Sequence, residues 1–175
     1  MACDITKGRL ISCKDAIGGL RKVYFINYED MTEADYTYDV DGETITAVAN
    51  TPSAYEYDLH LGNDLTQNIT SSAENGTTYF EQVLNLTLKK LSAVDNVEIR
   101  QLAYGHPKVM VLDQMGNYML VGAINGSDVT GGTAVTGNAM GDLNGYTLSF
   151  TAMERTLANF YTGDFDTEFA VVVGT

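Results

Sequence analysis

Hydrophobic residues recur at every second position along much of this chain. Residues 55–61, 83–89 and 146–153 each alternate between apolar and polar side chains. Such alternation is typical of strands that have one buried and one solvated face. The pattern therefore predicts a mainly β protein, built as an antiparallel β-sandwich or open barrel.

Further strands are predicted for residues 23–28, 45–49, 108–112, 118–124 and 169–173. Two of them, 108–112 and 118–124, are nearly continuous apolar runs, which is typical of strands buried on both faces. The residues between these two predict a hairpin turn with Gly116 at positive φ. The core predicted from the alternation consists of Tyr57, Leu59, Leu84, Leu86, Val109, Val111, Leu120, Leu148 and Phe150.

One segment, residues 93–104, departs from the strand pattern and predicts a single flanking α-helix. Ser92 is placed to cap its start, with Asp95 at the capping-box position. Gly105 is placed to end it, and Pro107 prevents continuation. We expect the helix to lie across one sheet on the apolar face formed by Leu91, Val94, Val97, Leu102 and Tyr104.

Two stretches are predicted to be long loops, the acidic residues 29–41 and the glycine-rich residues 125–144. Ordering a loop costs about 1–2 kcal/mol per residue, and long structureless loops are uncommon unless they have a function. We therefore expect both loops to be mobile in the monomer and ordered by a neighbouring subunit. The candidate interface residues in the second loop are Gly131, Gly132, Gly137 and Gly141.

Charge is distributed unevenly along the chain. Residues 1–22 contain five basic and two acidic residues, a net charge of +3, and the remainder contains five basic and 21 acidic residues, a net charge of −16. This split predicts a basic N-terminal arm, residues 1–22, and a single acidic domain, residues 23–175. We expect the arm of one subunit to dock on the acidic body of another through Lys7, Arg9, Lys14, Arg21 and Lys22.

The same charge distribution limits the partners that the chain can have. Nucleic-acid binding needs clustered cations, so we expect no specific binding of DNA, although an acidic wall would let DNA slide past. The sequence has neither a signal-peptide pattern nor an apolar run long enough to span a membrane. The sequence has two cysteines, Cys3 and Cys13, and this low number favours a reducing compartment. A disulfide between the two cysteines stays an alternative.

Catalytic and metal-binding patterns are weak throughout the sequence. The two histidines, His60 and His106, have no partner in a recognisable triad or zinc spacing. The stretch from Asp39 to Glu43 resembles the start of a calcium loop but lacks the later ligands, which favours a hairpin turn. We therefore expect no catalytic residues, no metal, no cofactor and no enzymatic activity.

Three segments resemble virion proteins of tailed bacteriophages. They are the opening Met-Ala-Cys-Asp-Ile-Thr-Lys-Gly-Arg, the stretch Cys-Lys-Asp-Ala-Ile-Gly-Gly-Leu-Arg-Lys-Val-Tyr-Phe at residues 13–25, and Gly-Tyr-Thr-Leu-Ser-Phe-Thr-Ala-Met-Glu at residues 145–154. Together they cover about a quarter of the chain, and none is a catalytic signature. The arrangement of arm, strands, helix and loops also resembles tail tube proteins as a class.

The resemblance to tail tube proteins implies stacked, usually hexameric rings with an acidic lumen through which DNA passes. It also implies contacts with other tail or neck proteins and a location in the virion tail, after assembly in the cytoplasm of the bacterial host. Two other interpretations stay open at this point. One is another virion component, such as a neck, tail-terminator or head-decoration protein. The other is a ligand- or glycan-binding β-sandwich, for which the eleven tyrosines supply aromatic surface.

Overall fold

The computed structural model describes residues 7–10, 13–60 and 62–174. These residues include two helices, α1 (Ala93–Tyr104) and the one-turn α2 (Phe165–Glu168). The strands in chain order are β1 (Leu20–Ile26), β2 (Tyr36–Tyr38), β3 (Ile45–Val48), β4 (Ser53–Asp58), β5 (Asp64–Ser72), β6 (Thr77–Lys89), β7 (Lys108–Asp113), β8 (Tyr118–Val121), β9 (Asp128–Val135), β10 (Gly145–Glu154), β11 (Asn159–Tyr161) and β12 (Ala170–Val173).

The strands form two sheets. The larger has eight strands in the order β12-β4-β1-β7-β8-β11-β3-β2, and the smaller has four in the order β5-β6-β10-β9. All pairs in the smaller sheet are antiparallel, whereas the larger sheet includes two parallel pairs, β11 with β3 and β12 with β4. The prediction of a mainly β fold with two packed sheets is confirmed.

A first hydrophobic core lies between the two sheets. The larger sheet contributes Val23, Phe25, Val109 and Val111, and the smaller sheet contributes Leu84, Leu86, Leu148 and Phe150. Every second residue of β10 is buried, as the alternation predicts, and Leu148, Phe150 and Ala152 among them belong to this core. Two residues predicted for the core, Tyr57 and Leu59, pack against it but stay half-buried, because they lie close to the edge of the larger sheet.

The opposite face of the larger sheet encloses a second core. Its buried residues come from seven of the eight strands, so the sheet curls around them as an open barrel. Leu120, predicted for the core, lies here. Phe165 of α2 fills the interior, with its ring centroid 4.7 Å from that of Tyr118 and 4.6 Å from that of Phe169. Strand β7 is thus buried on both faces, as its apolar run predicts.

Helix α1 begins and ends where the sequence predicts. The Ser92 hydroxyl accepts a hydrogen bond from the Asp95 amide at 3.1 Å, and Gly105 is the C-terminal cap. The predicted apolar face is right for Leu102, which packs against the core between the sheets. It is wrong for Val94, Val97 and Tyr104, which are exposed, and Ile99 makes the second contact in their place. The helix is therefore attached by a narrow stripe and leaves its remaining surface open.

The two predicted loops contain regular structure. Within residues 125–144, strand β9 pairs with β10, so the prediction of a structureless loop is wrong there. The glycines of β9 lack the side chains that would show an alternation of apolar and polar residues. The strand is nevertheless regular, since Thr133 lies opposite Thr147 and their hydroxyls are 2.7 Å apart. Residues 29–41 include strand β2 and two short 3-10 turns, Tyr28–Asp30 and Glu33–Asp35.

Candidate functional site: arm, groove and polar sheet face

The predicted arm, residues 1–22, is described at residues 7–10 and 13–22, and its last three residues belong to β1. The part before β1, residues 7–19, is called the arm from here on, and its described residues have no regular structure. Every residue of it that the structure describes is exposed, and two of these are large and apolar, Leu10 at 93% and Ile17 at 65% exposure. Its few polar contacts include a 3.4 Å hydrogen bond from the Ile17 amide to the Met115 sulfur. A segment with bare apolar side chains gains free energy from covering them, about 1.5–3 kcal/mol for each large side chain.

The basic residues predicted to dock on a neighbour fall into two groups. Lys7, Arg9 and Lys14 lie in the arm, whereas Arg21 and Lys22 lie in β1. Lys22 is engaged within its own chain, because its ammonium donates to Glu56 at 2.6 Å and lies 3.8 Å from Asp58. The hydrogen bond to Glu56 is the main reason that the pKa of Lys22 is raised. Lys7 is also paired within its own chain, at 3.7 Å from Asp41, whereas Arg9, Lys14 and Arg21 form no ion pair among the described residues.

The four glycines proposed for an interface differ in their surroundings. A Cβ at Gly132 would lie 2.7 Å from the Thr147 carbonyl oxygen, so close packing against β10 requires glycine there. Gly137 has φ +75° in the turn after β9. Gly131 and Gly141 have open space around them. Packing within the chain thus explains two of the four glycines, and the others lie on exposed surface.

Strand register places the arm at one end of the barrel. Lys22 near the start of β1 lies opposite Leu112, beside the 113–117 turn, while Ile26 at its end lies opposite Lys108. The β2–β3 turn is also at the arm's end, and there Lys7 of the arm lies 3.7 Å from Asp41. With about 3.3 Å per residue, the far end of β1 is about 20 Å away.

A groove of about 750 Å³ opens beside that far end, between α1 and the β1–β4 pair. Phe25, Tyr57 and Leu102 contribute apolar surface to it, and Tyr55 lies at its side with 41% of its surface exposed. Three carboxylates border the groove, Glu29, Asp30 and Glu98, and neither Lys nor Arg is among its lining residues. The groove thus combines an aromatic, apolar floor with a negative rim.

A polar sheet face forms the outer side of the four-stranded sheet. Hydroxyl and amide side chains cover it and bond across the strands, as in the contacts of Thr130 with Thr151 at 3.1 Å and Ser149 with Asn85 at 3.0 Å. Its acids, Asp64 and Glu81, accept hydrogen bonds from amide side chains on the neighbouring strand. Lys89, the last residue of β6, is the one cation in these four strands.

A buried lysine, Lys108, was not predicted from the sequence. Only 2% of its surface is exposed, and its ammonium donates to the Met31 carbonyl at 2.5 Å and to the Tyr36 hydroxyl at 3.1 Å. The same ammonium lies 5.1 Å from the centroid of the Tyr28 ring, within cation–π range. Burial lowers the pKa of Lys108, and nearby carboxylates oppose that effect. The lysine fastens the acidic 28–36 segment to the barrel.

Buried polar side chains also fix the turn between β8 and β9. The Glu154 carboxylate accepts hydrogen bonds from the amides of Ile124 and Asn125 at 3.0 and 2.7 Å, and the Gln82 side chain accepts one from Gly122. His106 contacts Asp128 on the strand that follows this turn. Glu154, Gln82 and His106 each have a hydrogen-bond partner within the chain, so their polar groups serve to hold the fold together.

Neither a metal cluster nor a matching protein directs the assignment of function. No group of three or more His, Cys, Asp or Glu residues lies close enough to hold a metal within residues 7–10, 13–60 and 62–174. Cys13 is an exposed free thiol, and Cys3 lies outside the described residues. None of the helices that the structure describes has the length and apolar character to cross a membrane. Comparison with protein-family models, curated proteins and solved structures finds no match.

Proposed function

We propose that this chain is a structural virion protein of a tailed phage, which assembles into stacked, six-membered rings that form the tail tube. The observation that carries the proposal is the arm, an extended basic segment whose Leu10 and Ile17 are bare in the isolated chain. Covering these side chains with a neighbouring subunit is favourable, which favours an assembling subunit over a monomeric binding protein or enzyme.

Open strand edges support assembly by a second route. Both sheets end in edge strands, β12 and β2 in the larger sheet and β5 and β9 in the smaller. Edge strands present free backbone donors and acceptors that can pair with another chain. Strand β5 is nine residues long, and Ile69 on it has 64% of its surface exposed. Such an edge favours lateral contact between subunits around a ring.

The polar sheet face supports the passage of DNA through the assembly. A wall that phosphates must slide past needs negative or neutral groups and few cations, because clustered Lys and Arg would bind the backbone. The face has acids and hydroxyls across its width, and its single lysine lies at the end of β6. We place this face toward the lumen, where DNA passes without specific binding.

Assembly is tested on the full-length chain by sedimentation and negative-stain microscopy. The proposal expects rings or tubes for the parent and smaller species for the double variant Lys7→Glu/Arg9→Glu, with an unchanged circular-dichroism spectrum. Lys89→Glu/Arg155→Glu is the matched control, since it makes the same change in net charge outside the arm. A parent that stays monomeric across concentration and salt overturns the proposal.

A second candidate function is a ligand- or glycan-binding module, and the groove favours it. Tyr28, Tyr55 and Tyr57 line that groove, and exposed aromatic rings are common where sugars stack. This function predicts a monomer that binds oligosaccharides and loses binding in Tyr55→Ala. A neck, tail-terminator or head-decoration role would instead give a single ring or a surface-bound oligomer without tubes.

A further inference from the structure

We infer that the groove is the receptor for the arm of a second copy of this chain, so that each subunit inserts its arm into the next. This inference rests on the proposed function, because it requires that the chain assembles. It adds to that function the docking site, which lies between α1 and the β1–β4 pair.

Charge complementarity identifies the occupant. The arm contains Lys7, Arg9 and Lys14 against the single acid Asp15. The groove has three carboxylates at its rim and neither Lys nor Arg among its lining residues. Facing charges of opposite sign steer two surfaces together and set their register. A basic segment is therefore the occupant that the rim accepts best, and the arm is the exposed basic segment of this chain.

Apolar surface is complementary as well. The arm has Leu10 and Ile17 exposed, and the groove offers Phe25, Tyr57 and Leu102. Aromatic and aliphatic side chains that fill a pocket supply most of the binding energy at protein interfaces, and surrounding charges contribute less. The arm and groove thus match in both of the properties that an interface needs.

The contacts of the arm place it at the opposite end of β1 from the groove of its own chain. The arm leaves at the start of β1, while the groove lies about 20 Å away along that strand. Its contacts at Met115 and Asp41 hold it at its own end of the barrel. A second copy, stacked on the first in the same orientation, brings its arm to the open groove. Such a contact joins two different surfaces, and with the copies in the same orientation it repeats as an open stack.

The test uses the natural thiol Cys13, which is exposed in the arm. In a full-length Cys3→Ala chain, Gln101→Cys places a second thiol at the groove, where the side chain is exposed. Mild oxidation is expected to give a ladder of disulfide-linked multimers on a non-reducing gel, and reductant is expected to remove it. The matched control is Ala73→Cys, at the exposed tip of the β5–β6 hairpin, which is expected to give no ladder.

A charge exchange provides an independent measurement. Arg9→Glu/Lys14→Glu in the arm is expected to abolish the ladder and lower the sedimentation coefficient. Adding Glu29→Lys/Glu98→Lys in the groove of the same chain is expected to restore both. Glu29→Lys/Glu98→Lys without the arm changes is expected to weaken assembly too. Restoration by the combined changes therefore indicates direct pairing of arm and groove rather than a general effect of charge.

The outcomes separate this inference from the proposed function. Assembly without a ladder, a cross-link confined to the monomer, or cross-linked dimers alone each overturn the inference and leave ring formation standing. A chain that stays monomeric under all conditions overturns both. Binding of an oligosaccharide to the groove of the assembled protein also overturns the inference, because the arm would then not occupy it.

Discussion

Lys108 shows how a single residue links the acidic segment to the barrel. Its ammonium has lost its water, but it is compensated by the Met31 carbonyl, the Tyr36 hydroxyl and the faces of two tyrosine rings. The Tyr36 hydroxyl also donates to the Ala123 carbonyl at 2.9 Å. Tyr36 is therefore the centre of this network, because it has a partner on each side.

Replacing Tyr36 with phenylalanine is expected to destabilise the fold. The change leaves the Ala123 carbonyl without the Tyr36 donor and the Lys108 ammonium with the Met31 carbonyl as its remaining acceptor. A buried group that loses its hydrogen-bond partner costs about 1–3 kcal/mol. Tyr38→Phe, in the same strand but half-buried, is the matched control and should cost little. Urea denaturation measures both. Equal midpoints for Tyr36→Phe and the parent would show that the network contributes nothing.

Alkaline pH is expected to unfold the protein. Burial is the first cause of the raised pKa of six tyrosines, Tyr24, Tyr36, Tyr38, Tyr57, Tyr118 and Tyr161. Tyrosines in the unfolded chain ionise near pH 10. The stability that the six buried tyrosines contribute is therefore full below about pH 10 and is lost as the pH rises through their higher pKa values in the folded protein. Lys108 has the opposite effect, because its lowered pKa makes its contribution to stability rise with pH. A single lysine does not offset the loss from six tyrosines.

Tyrosinate absorbance and circular dichroism, followed together in a pH titration, check this expectation. Buried tyrosines should ionise in the same transition in which the β-sheet signal is lost. Ionisation of all eleven tyrosines with the sheet signal intact would contradict it.

At the scale of elements, the packing of strand β9 against β10 depends on Gly132. Gly132→Ala is expected to destabilise the protein by about 1–3 kcal/mol, because the added methyl group meets the Thr147 carbonyl oxygen and Leu148. Gly131→Ala is the matched control, with open space around the new methyl group. Thermal unfolding of the two variants compares them directly, and equal melting temperatures would show that β9 is loosely paired.

The two strands β5 and β6 offer a contrast between buried and exposed apolar positions. Leu86→Asp is expected to prevent folding, since the side chain is 1% exposed and an unpaired carboxylate is costly there. Ile69→Asp should fold normally, because Ile69 lies on the exposed part of the hairpin. Circular dichroism decides between the two. A folded Leu86→Asp chain would contradict the assignment of the core between the sheets.

Elements with a strong local signal could be predicted from the sequence, and others could not. The ends of α1 follow from Ser92 and Gly105, since capping depends on neighbouring residues. Its buried face could be predicted only for Leu102, because Ile99 makes the other contact with the core while Val94, Val97 and Tyr104 are exposed. Strand β9 was missed because glycine carries no side chain to mark a face, and its pairing with β10 is a tertiary effect.

For the whole molecule, assembly is expected to weaken as salt rises. The screening length falls from about 8 Å at physiological ionic strength to about 3 Å at 1 M, which reduces attraction between the basic arm and the acidic body. Sedimentation of the parent at low and high salt measures the effect. Lys89→Glu/Arg155→Glu should respond like the parent. Oligomers that do not change with salt would show that the apolar contacts of Leu10 and Ile17 suffice.

Part of the candidate site could be predicted from composition and part only from the fold. The charge split of the sequence predicts a basic arm and an acidic body. The groove could not be predicted, because it joins Phe25, Tyr57 and Leu102 from three separate elements. The burial of Lys108 could not be predicted either, because a lysine at the start of a strand usually extends into water. Its partners, Met31 and Tyr36, come close to it only in the folded chain.

The position of the last strand has a consequence for biosynthesis. The barrel encloses Phe165 and Phe169, and β12 completes its edge by pairing in parallel with β4. This core can therefore close only after residues 165–173 have left the ribosome. The arm precedes every strand of the barrel along the chain and so leaves the ribosome before them. A chain that ends before Phe165 has the arm without a closed barrel, and we expect it to stay unfolded.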